Sequence, residues 1–536
     1  MFLKAGKYFL PLGGANEIGR NLNLFGIVEE DGYQEWIIID AGVSIANKDG
    51  ITLVMSSLEK YYDWNIIGVI CTHAHDDHIG ALPFIMKKLK APIYATPFTS
   101  VLVRCKLDDH NVKADLREIP VNAKFSIGLF QIEMIYITHS TLEPNMILVH
   151  MGNKTILHTG DWKLDDEPML GPTTDEKSLS ILGDRGIDVL ICDSTNALEP
   201  NKSESEGEAK RNLLKLISKY KDRNVFVSFF SSNLARLQSI KQIAQELGNK
   251  KVFLVGRSLQ RMFQAAVKTG YMKESDFITN LNTQVPKNSI FVCTGSQGEE
   301  NAVLQKLAYD LHRNIKINAG DVLIFSSRVI PGNDISISTL KNAFIGKGIE
   351  VIDTILLHNK NIHVSGHPGQ PEIKRILDLT RPKLVIPVHG DFVHTHGLAY
   401  VAREYGYENV LIPHNGSLIN LDIEEIVNSL PAETLCVDGN QLINLESNML
   451  KTRKILGQNG VISISIINND IQISFCGLFN SIVLNNKRAM KNIHNEIEKV
   501  LEERIVDCAG KIHSVISQHI RIVYGKTPLI IIHKHI

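Results

Sequence analysis

Four candidate metal ligands, His73, His75, Asp77 and His78, fall within the six positions of HAHDDH, directly after the apolar run IIGVICT. A strand alternates its faces, so donors at this spacing converge only if the chain leaves the strand here and turns. Imidazole mixed with carboxylate suits Zn²⁺ or Mn²⁺ better than Ca²⁺ or Mg²⁺, which favour oxygen ligands alone. One loop cannot complete two coordination spheres, and further donors stand at the ends of other apolar runs: His139 after MIYIT, Asp161 after ILHTG and His389 after LVIPV. Asp161 is the best candidate for a bridge, because a carboxylate has two oxygens. Two cations about 3.5 to 4 Å apart deprotonate a shared water near neutral pH and clamp a phosphoryl oxygen. The implied chemistry is hydrolysis without a covalent intermediate. Asp40, ending EWIIID, and Asp193, ending DVLICD, are read as groups that orient ligand imidazoles or manage a proton. Neither a GxSxG elbow nor a P-loop occurs, which leaves serine and nucleotide-driven mechanisms without support.

These residues need a rigid frame, and the chain reads as one. From Tyr8 to about Ser194, short apolar strands are broken by Gly, Asn and Asp, and each ends in a residue that binds metal or protons. After Asn196 strands alternate with helical stretches, a βαβ rhythm that predicts a parallel α/β unit up to about Ser365. KLVIPVHGD then returns to the earlier style, so the α/β unit is read as an insertion within another domain. The predicted spans are 1–205 and 369–425 for the split domain, 206–368 for the insertion, 426–450 for a polar linker and 451–536 for a small α+β domain.

Composition fits a soluble enzyme of 536 residues, with 44% hydrophobic and 21% charged residues. The formal charge of -1 argues against wholesale coating of polyanions. The charge is uneven, however: from Lys451 onward there are 12 Lys+Arg against 6 Asp+Glu, which leaves -7 on the remainder. The seven cysteines lack CxxC spacing and read as small hydrophobes of a reducing compartment. No apolar run is long enough for a membrane span and the start lacks a signal-peptide pattern, so a cytoplasmic protein without membrane attachment is expected.

The motifs PLGG at Pro11, EIGRN at Glu17, DAG at Asp40, HAHDDH, THS at His139, HTGDWK around Asp161 and CDSTNA around Asp193 resemble the bacterial ribonuclease J branch of the β-CASP metallo-β-lactamases. The likeness continues through SSNLARLQ at Ser231, RVIPGND at Arg328, HVSGH at His363 and PVHGD around His389. It implies an α/β fold: a split αββα metallo-β-lactamase sandwich, an inserted parallel α/β β-CASP domain and a small α+β C-terminal domain used in homodimer or higher assembly. It also implies two Zn²⁺ per chain, with Mn²⁺ or Mg²⁺ as alternatives supporting activity. By that carry-over His73, His75 and His139 hold one ion, Asp77, His78 and His389 the other, and Asp161 both. Asp77, Asp193 and His367 would serve catalysis. Ser231, Ser232, Asn233, His363, Val364, Ser365, Gly366 and His367 would contact single-stranded RNA. The implied activity is 5′-to-3′ exonuclease action preferring a 5′-monophosphate, with endonuclease action, in RNA processing and decay, including within an RNA degradation complex. Where relatives carry an aromatic residue after the DAG motif, this chain reads DAGVSIANKDG, so no base stacking is implied there. The competing readings are a β-CASP DNA nuclease, a small-molecule metallo-hydrolase of the same fold and a non-catalytic RNA-binding protein.

Overall fold

The runs VLICD and LVIPV are buried along their whole length, which strands achieve inside a sheet covered on both faces. A computed structural model describes residues 3–48, 51–281, 287–330, 332–354, 361–467, 470–478, 487–503 and 507–535. The chain forms two compact units, Met1–Ser44 with Met55–Glu433, and Ile45–Val54 with Thr434–Ile536.

In the first unit two sheets face each other. The eight-stranded sheet runs in the order Glu425–Ser429, Ser417–Asn420, Gly6–Gly13, Leu22–Val28, Gln34–Ile39, Ile66–Ile70, Ile93–Ala95, Leu116–Glu118. The six-stranded sheet runs Leu384–Val388, Val189–Asp193, Lys154–His158, Asn145–Met151, Phe130–Tyr136, Lys124–Ile127. Phe9, Phe25, Ile37, Ile39, Ile147, Ile191 and Ile386 fill the space between them. The alternate residues Leu148, Leu157, Leu190 and Val385 pack outward among Leu377 and Leu398 of the helices Gln370–Thr380 and Phe392–Glu404. This is the expected αββα sandwich. Its late strand Leu384–Val388 lies parallel to Val189–Asp193, which carries His389 back to the early motifs.

The insertion is a five-stranded parallel sheet, in the order Val252–Val255, Ile290–Cys293, Val225–Ser228, Val322–Phe325, Glu350–Ile352. Its strands up to Phe325 are fully buried between helices and apolar except for Ser228, as the βαβ rhythm requires. A buried ion pair joins the two ends of the insertion: Arg236 Nε donates to Glu206 Oε2 at 3.0 Å and Arg236 Nη1 to the Ile362 carbonyl at 2.6 Å. Glu206 and Ile362 sit on the two chain crossings between the halves, and removing one partner of such a pair costs about 3–5 kcal/mol.

The second unit holds the expected α+β domain. Strands Asp470–Cys476, Val461–Ile467 and Leu529–His535 form a sheet in that order, and Ile462, Ile464 and Ile466 pack on Ile493, Ile497, Ile512, Ile516 and Ile520 of two helices. The polar linker expected over 426–450 is not irregular. Glu425–Ser429 closes an edge of the large sheet, Thr434–Asp438 pairs with Gln441–Asn444, and a helix begins at Asn448. Every residue of Glu425–Ser429 is exposed, so its composition is that of an edge strand and reads as a loop. The span 1–205 is corrected as well, because Ile45–Val54 belongs to this second unit, where strands Val43–Lys48 and Ile51–Ser56 extend the Thr434–Asp438 sheet.

Candidate metal centre

Beyond Ile66–Ile70 the HAHDDH segment turns away from the strand, as its spacing predicts. Backbone bonds from Asn21 N to the Asp77 carbonyl (3.0 Å) and from Ala41 N to the His78 carbonyl (2.7 Å) hold the turn. A Cβ on Gly42 would lie 1.6 Å from the Asp77 carbonyl oxygen, so only glycine lets the DAG loop pass beneath it. Asp40 and His389 follow their strands with φ of 64° and 53°, strained backbone of the kind that collects at functional sites.

The seven side chains predicted as ligands meet here. His73, His75, His139 and Asp161 place one donor atom each within 4.8 Å of the others, and so do Asp77, His78, Asp161 and His389. In the first group His75 Nδ1 lies 3.1 Å from both His73 Nε2 and His139 Nε2, and Asp161 Oδ2 lies 3.8 Å from the same two nitrogens. In the second, Asp161 Oδ1 is 3.2 Å from His78 Nε2, while Asp77 Oδ2 is 3.6 Å from His78 Nε2 and 3.2 Å from His389 Nε2. Asp161 therefore gives one oxygen to each group.

The donor set fits a divalent cation. Asp161 Oδ1 is buried and faced by the imidazoles of His78 and His389, at 3.2 and 3.5 Å, an anionic oxygen that a divalent cation would satisfy. Three nitrogens and one carboxylate oxygen around one point is the ligand chemistry of a zinc-type ion. Burial holds His73, His75 and His139 below the usual histidine range, in the neutral form that binds metal. Burial also opposes charge on His78 and His389, but in both the surrounding carboxylates prevail, led by Asp161, and His389 is pushed up to about 10. A metal ion at the second group competes with those protons. Burial disfavours the anions of Asp77, Asp161 and Asp193, yet neighbouring imidazoles, His78, His389 and His367 respectively, hold all three below the usual carboxylate range.

Hydrogen bonds fix how the rings face. His78 Nδ1 lies 2.7 Å from Asp40 Oδ2, and Thr72 donates to the same carboxylate while standing 3.0 Å from His73 Nδ1. His139 Nδ1 donates to the Gly366 carbonyl at 2.7 Å. A Cβ on Gly366 would come within 2.6 Å of the His139 ring, so glycine is needed for this approach. Thr195 Oγ1 is 2.8 Å from both His389 Nδ1 and the His389 carbonyl oxygen, and so holds a ring on strained backbone. Thr72, Thr195 and Asn196 escaped the sequence reading, although Thr195 stands two residues past Asp193 in CDSTNA. Thr195→Val keeps the shape and removes the bond, so metal affinity or hydrolysis should fall by about 10- to 100-fold. Metal titration with steady-state kinetics checks this, and a variant equal to wild type would remove Thr195 from the site's support.

His367 and Asp193 complete the cluster, sharing a third group with Asp161 and His389. His367 Nδ1 lies 2.8 Å from Asp193 Oδ2, which turns Nε2 toward Asp161 Oδ2 at 4.0 Å. Burial disfavours the imidazolium, but Asp193 and Asp161 outweigh it and raise the pKa of His367. The other expected substrate contacts divide. Ser231 and Ser232 line a cavity of about 120 Å³ with Ser258, Thr294, Ser296 and Glu299. It lies at the carboxyl ends of parallel strands, where open α/β sheets bind ligands. Asn233 is instead buried, with Oδ1 capping the helix Leu234–Glu246 and Nδ2 donating to Glu206, so its side chain is committed to the fold. Val364 is buried, and burial, with Arg236 adding, pushes His363 down to about 3, so His363 brings no charge to a phosphate. Ser365 Oγ accepts from Asn196 Nδ2 at 2.7 Å.

A sandwich of this order, an inserted parallel sheet and a shared-carboxylate His/Asp cluster together define a metallo-hydrolase of the metallo-β-lactamase fold with a β-CASP insertion. Family models agree: "Metallo-beta-lactamase superfamily" over residues 25–226, "Ribonuclease J, beta-CASP domain" over 221–344 and "Zn-dependent metallo-hydrolase RNA specificity domain" over 354–413. The chain is 35% identical to Ribonuclease J of Sinorhizobium meliloti, covering 86% of this chain and 82% of that one. It is 35% identical to Ribonuclease J 1 of Streptococcus pyogenes (87% and 84% covered) and 31% identical to Ribonuclease J of Helicobacter pylori (99% and 80% covered). A solved protein of unknown function from Enterococcus faecalis shares the fold alone, at 13% identity and a TM-score of 0.53, covering 77% of this chain and all of that one. The chain belongs to the ribonuclease J family. Among the described residues, no helix is long and apolar enough to cross a membrane.

Proposed function

We propose that this protein hydrolyses RNA phosphodiester bonds, as a 5′-to-3′ exonuclease that prefers 5′-monophosphate ends and also cuts internally. The observation that carries the hydrolytic reading is the Asp161 carboxylate with one oxygen in each of two donor groups. The RNA substrate is supported by relatives named Ribonuclease J and by the RNA specificity model over 354–413. In this reading two Zn²⁺ are held, one by His73, His75, His139 and Asp161, the other by Asp77, His78, His389 and Asp161, with Mn²⁺ or Mg²⁺ also supporting activity. When bound, such a pair supplies an activated water near neutral pH and neutralises charge on the phosphoryl oxygens.

The protein's own groups do the rest. Asp193 fixes the His367 ring, and a protonated His367 Nε2 donates to a phosphoryl oxygen or to the leaving 3′-oxygen. Ser231 and Ser232 and the backbone of 363–367 hold phosphate from the insertion side, and the crossings pinned by Arg236 keep those segments in register with the metal ligands. We also propose a cytoplasmic location, a homodimer or higher assembly through the C-terminal domain, and membership of an RNA degradation complex. The domain spans 206–368 for the insertion and 369–425 for the second part of the sandwich are proposed on the same footing.

The test is digestion of one RNA sequence bearing a 5′-triphosphate, 5′-monophosphate or 5′-hydroxyl, alongside DNA of that sequence. The monophosphate RNA should be consumed fastest, with mononucleotides released from the 5′ end, and the DNA should survive because a site sensing the 2′-OH separates the two. Equal rates on all ends would refute the end preference, and faster cutting of DNA would favour a DNA nuclease of this fold.

A further inference from the structure

The helix Phe392–Glu404 begins three residues past His389 and carries an outward row of rings. Phe392, His396 and Tyr400 are spaced by four and so share one helix face. All three are exposed, Phe392 to 50% and Tyr400 to 65%, and Val393 adds an apolar shoulder at 62%. The Phe392 ring has imidazoles around it, with His414 at 5.5 Å and His396 at 6.4 Å between centroids. His396 Nδ1 donates to the Phe392 carbonyl at 2.8 Å, which holds that ring along the row. The opposite face is already used, since Thr395, Leu398, Ala399, Val401 and Ala402 are buried.

A solvated helix face favours charged and polar side chains, so an exposed aromatic row marks a contact surface. Two observations select the partner. The row lies inside 354–413, the span matched by the RNA specificity model, and it starts beside His389, one of the residues of the second donor group. Eight residues of helix extend about 12 Å, the length of about three stacked bases. Every base has a face that stacks on an aromatic ring, so single-stranded RNA fits such a row whatever its sequence. The carboxylate at this end, Asp391, is taken up as the helix cap, accepting from the His394 backbone N–H.

We propose that Phe392, His396 and Tyr400 form a track on which unpaired bases of an RNA stack outside the metal centre. The proposal rests on the RNA-hydrolase reading. It is tested on the full chain with Phe392→Ala, Tyr400→Ala, the double variant and Phe392→Trp. The substrates are a 5′-monophosphorylated trinucleotide and an RNA of about 20 nucleotides. For the long RNA the double variant should raise KM by about tenfold or more with kcat unchanged, while the trinucleotide is handled as by wild type. Phe392→Trp should keep the wild-type KM and add a fluorescence signal quenched by the long RNA. An unchanged KM for the long RNA, or the same rise for both lengths, would overturn the track. Normal RNA handling combined with loss of a protein partner would assign the row to a protein interface and overturn it too. Should wild type cleave neither RNA, the hydrolase reading fails, and a gel shift with the long RNA still decides the track: weakened binding by the double variant supports it and equal binding overturns it.

Discussion

Replacing Asp161 by alanine should lower kcat for RNA hydrolysis by about 10⁴-fold or more, equivalent to about 5.4 kcal/mol of barrier. The reason is geometric: each oxygen of this carboxylate belongs to a different donor group, so one substitution removes a ligand from both. It also leaves His78 and His389 without the carboxylate that contributes most to holding their positive charge. RNA affinity should persist, because the surfaces proposed to hold substrate, Ser231, Ser232 and the 363–367 segment, are untouched. Asp161→Asn preserves shape and loses the charge, and it should fall with Asp161→Ala. Single-turnover kinetics beside a filter-binding assay checks this, with thermal melting to establish that the variants fold. A variant retaining metal-dependent hydrolysis within about tenfold of wild type would show that the two groups do not depend on a common ligand.

Replacing His367 by alanine should lower kcat by about 10²- to 10³-fold, with metal content unchanged. His367 lies 4.0 Å from Asp161, but its Nδ1 is engaged by Asp193, and it stands outside the two groups assigned to the metals. Its loss therefore removes a proton donor and leaves the ligands in place. In the proposed mechanism Asp193 acts through this ring, so Asp193→Asn combined with His367→Ala should be little worse than His367→Ala alone, as for residues that work as a unit. Rates that multiply would show separate roles, and metal lost from His367→Ala would make this histidine a ligand.

Much of the site was legible because its signals are local. The four candidate ligands of HAHDDH cannot be explained by a strand, and His139, Asp161 and His389 recur at strand ends, where a sheet aims side chains. The insertion was legible from its βαβ rhythm, which also explains the late position of His389. What escaped depends on contacts between distant segments. The strands Val43–Lys48 and Ile51–Ser56 join Thr434–Asp438 across most of the chain, and no local pattern announces that pairing. Asn233 looks like a phosphate contact in SSNLARLQ, yet it lies at a helix start and is used as a cap, a choice its residue type serves equally well. Thr195 is one hydroxyl among many until His389 is placed against it. The segment 426–450 is polar because its strands bury little, only Cys436 and Ile443, and polarity alone does not separate such strands from a linker.

The most direct measurement is a crystal structure of the zinc-loaded protein with anomalous data at the zinc edge. The expected result is two peaks, one beside His73, His75 and His139 and one beside Asp77, His78 and His389, each about 2.0–2.2 Å from a different Asp161 oxygen. A single peak, or an Asp161 carboxylate turned away from either ion, would contradict a two-metal centre built on a shared aspartate.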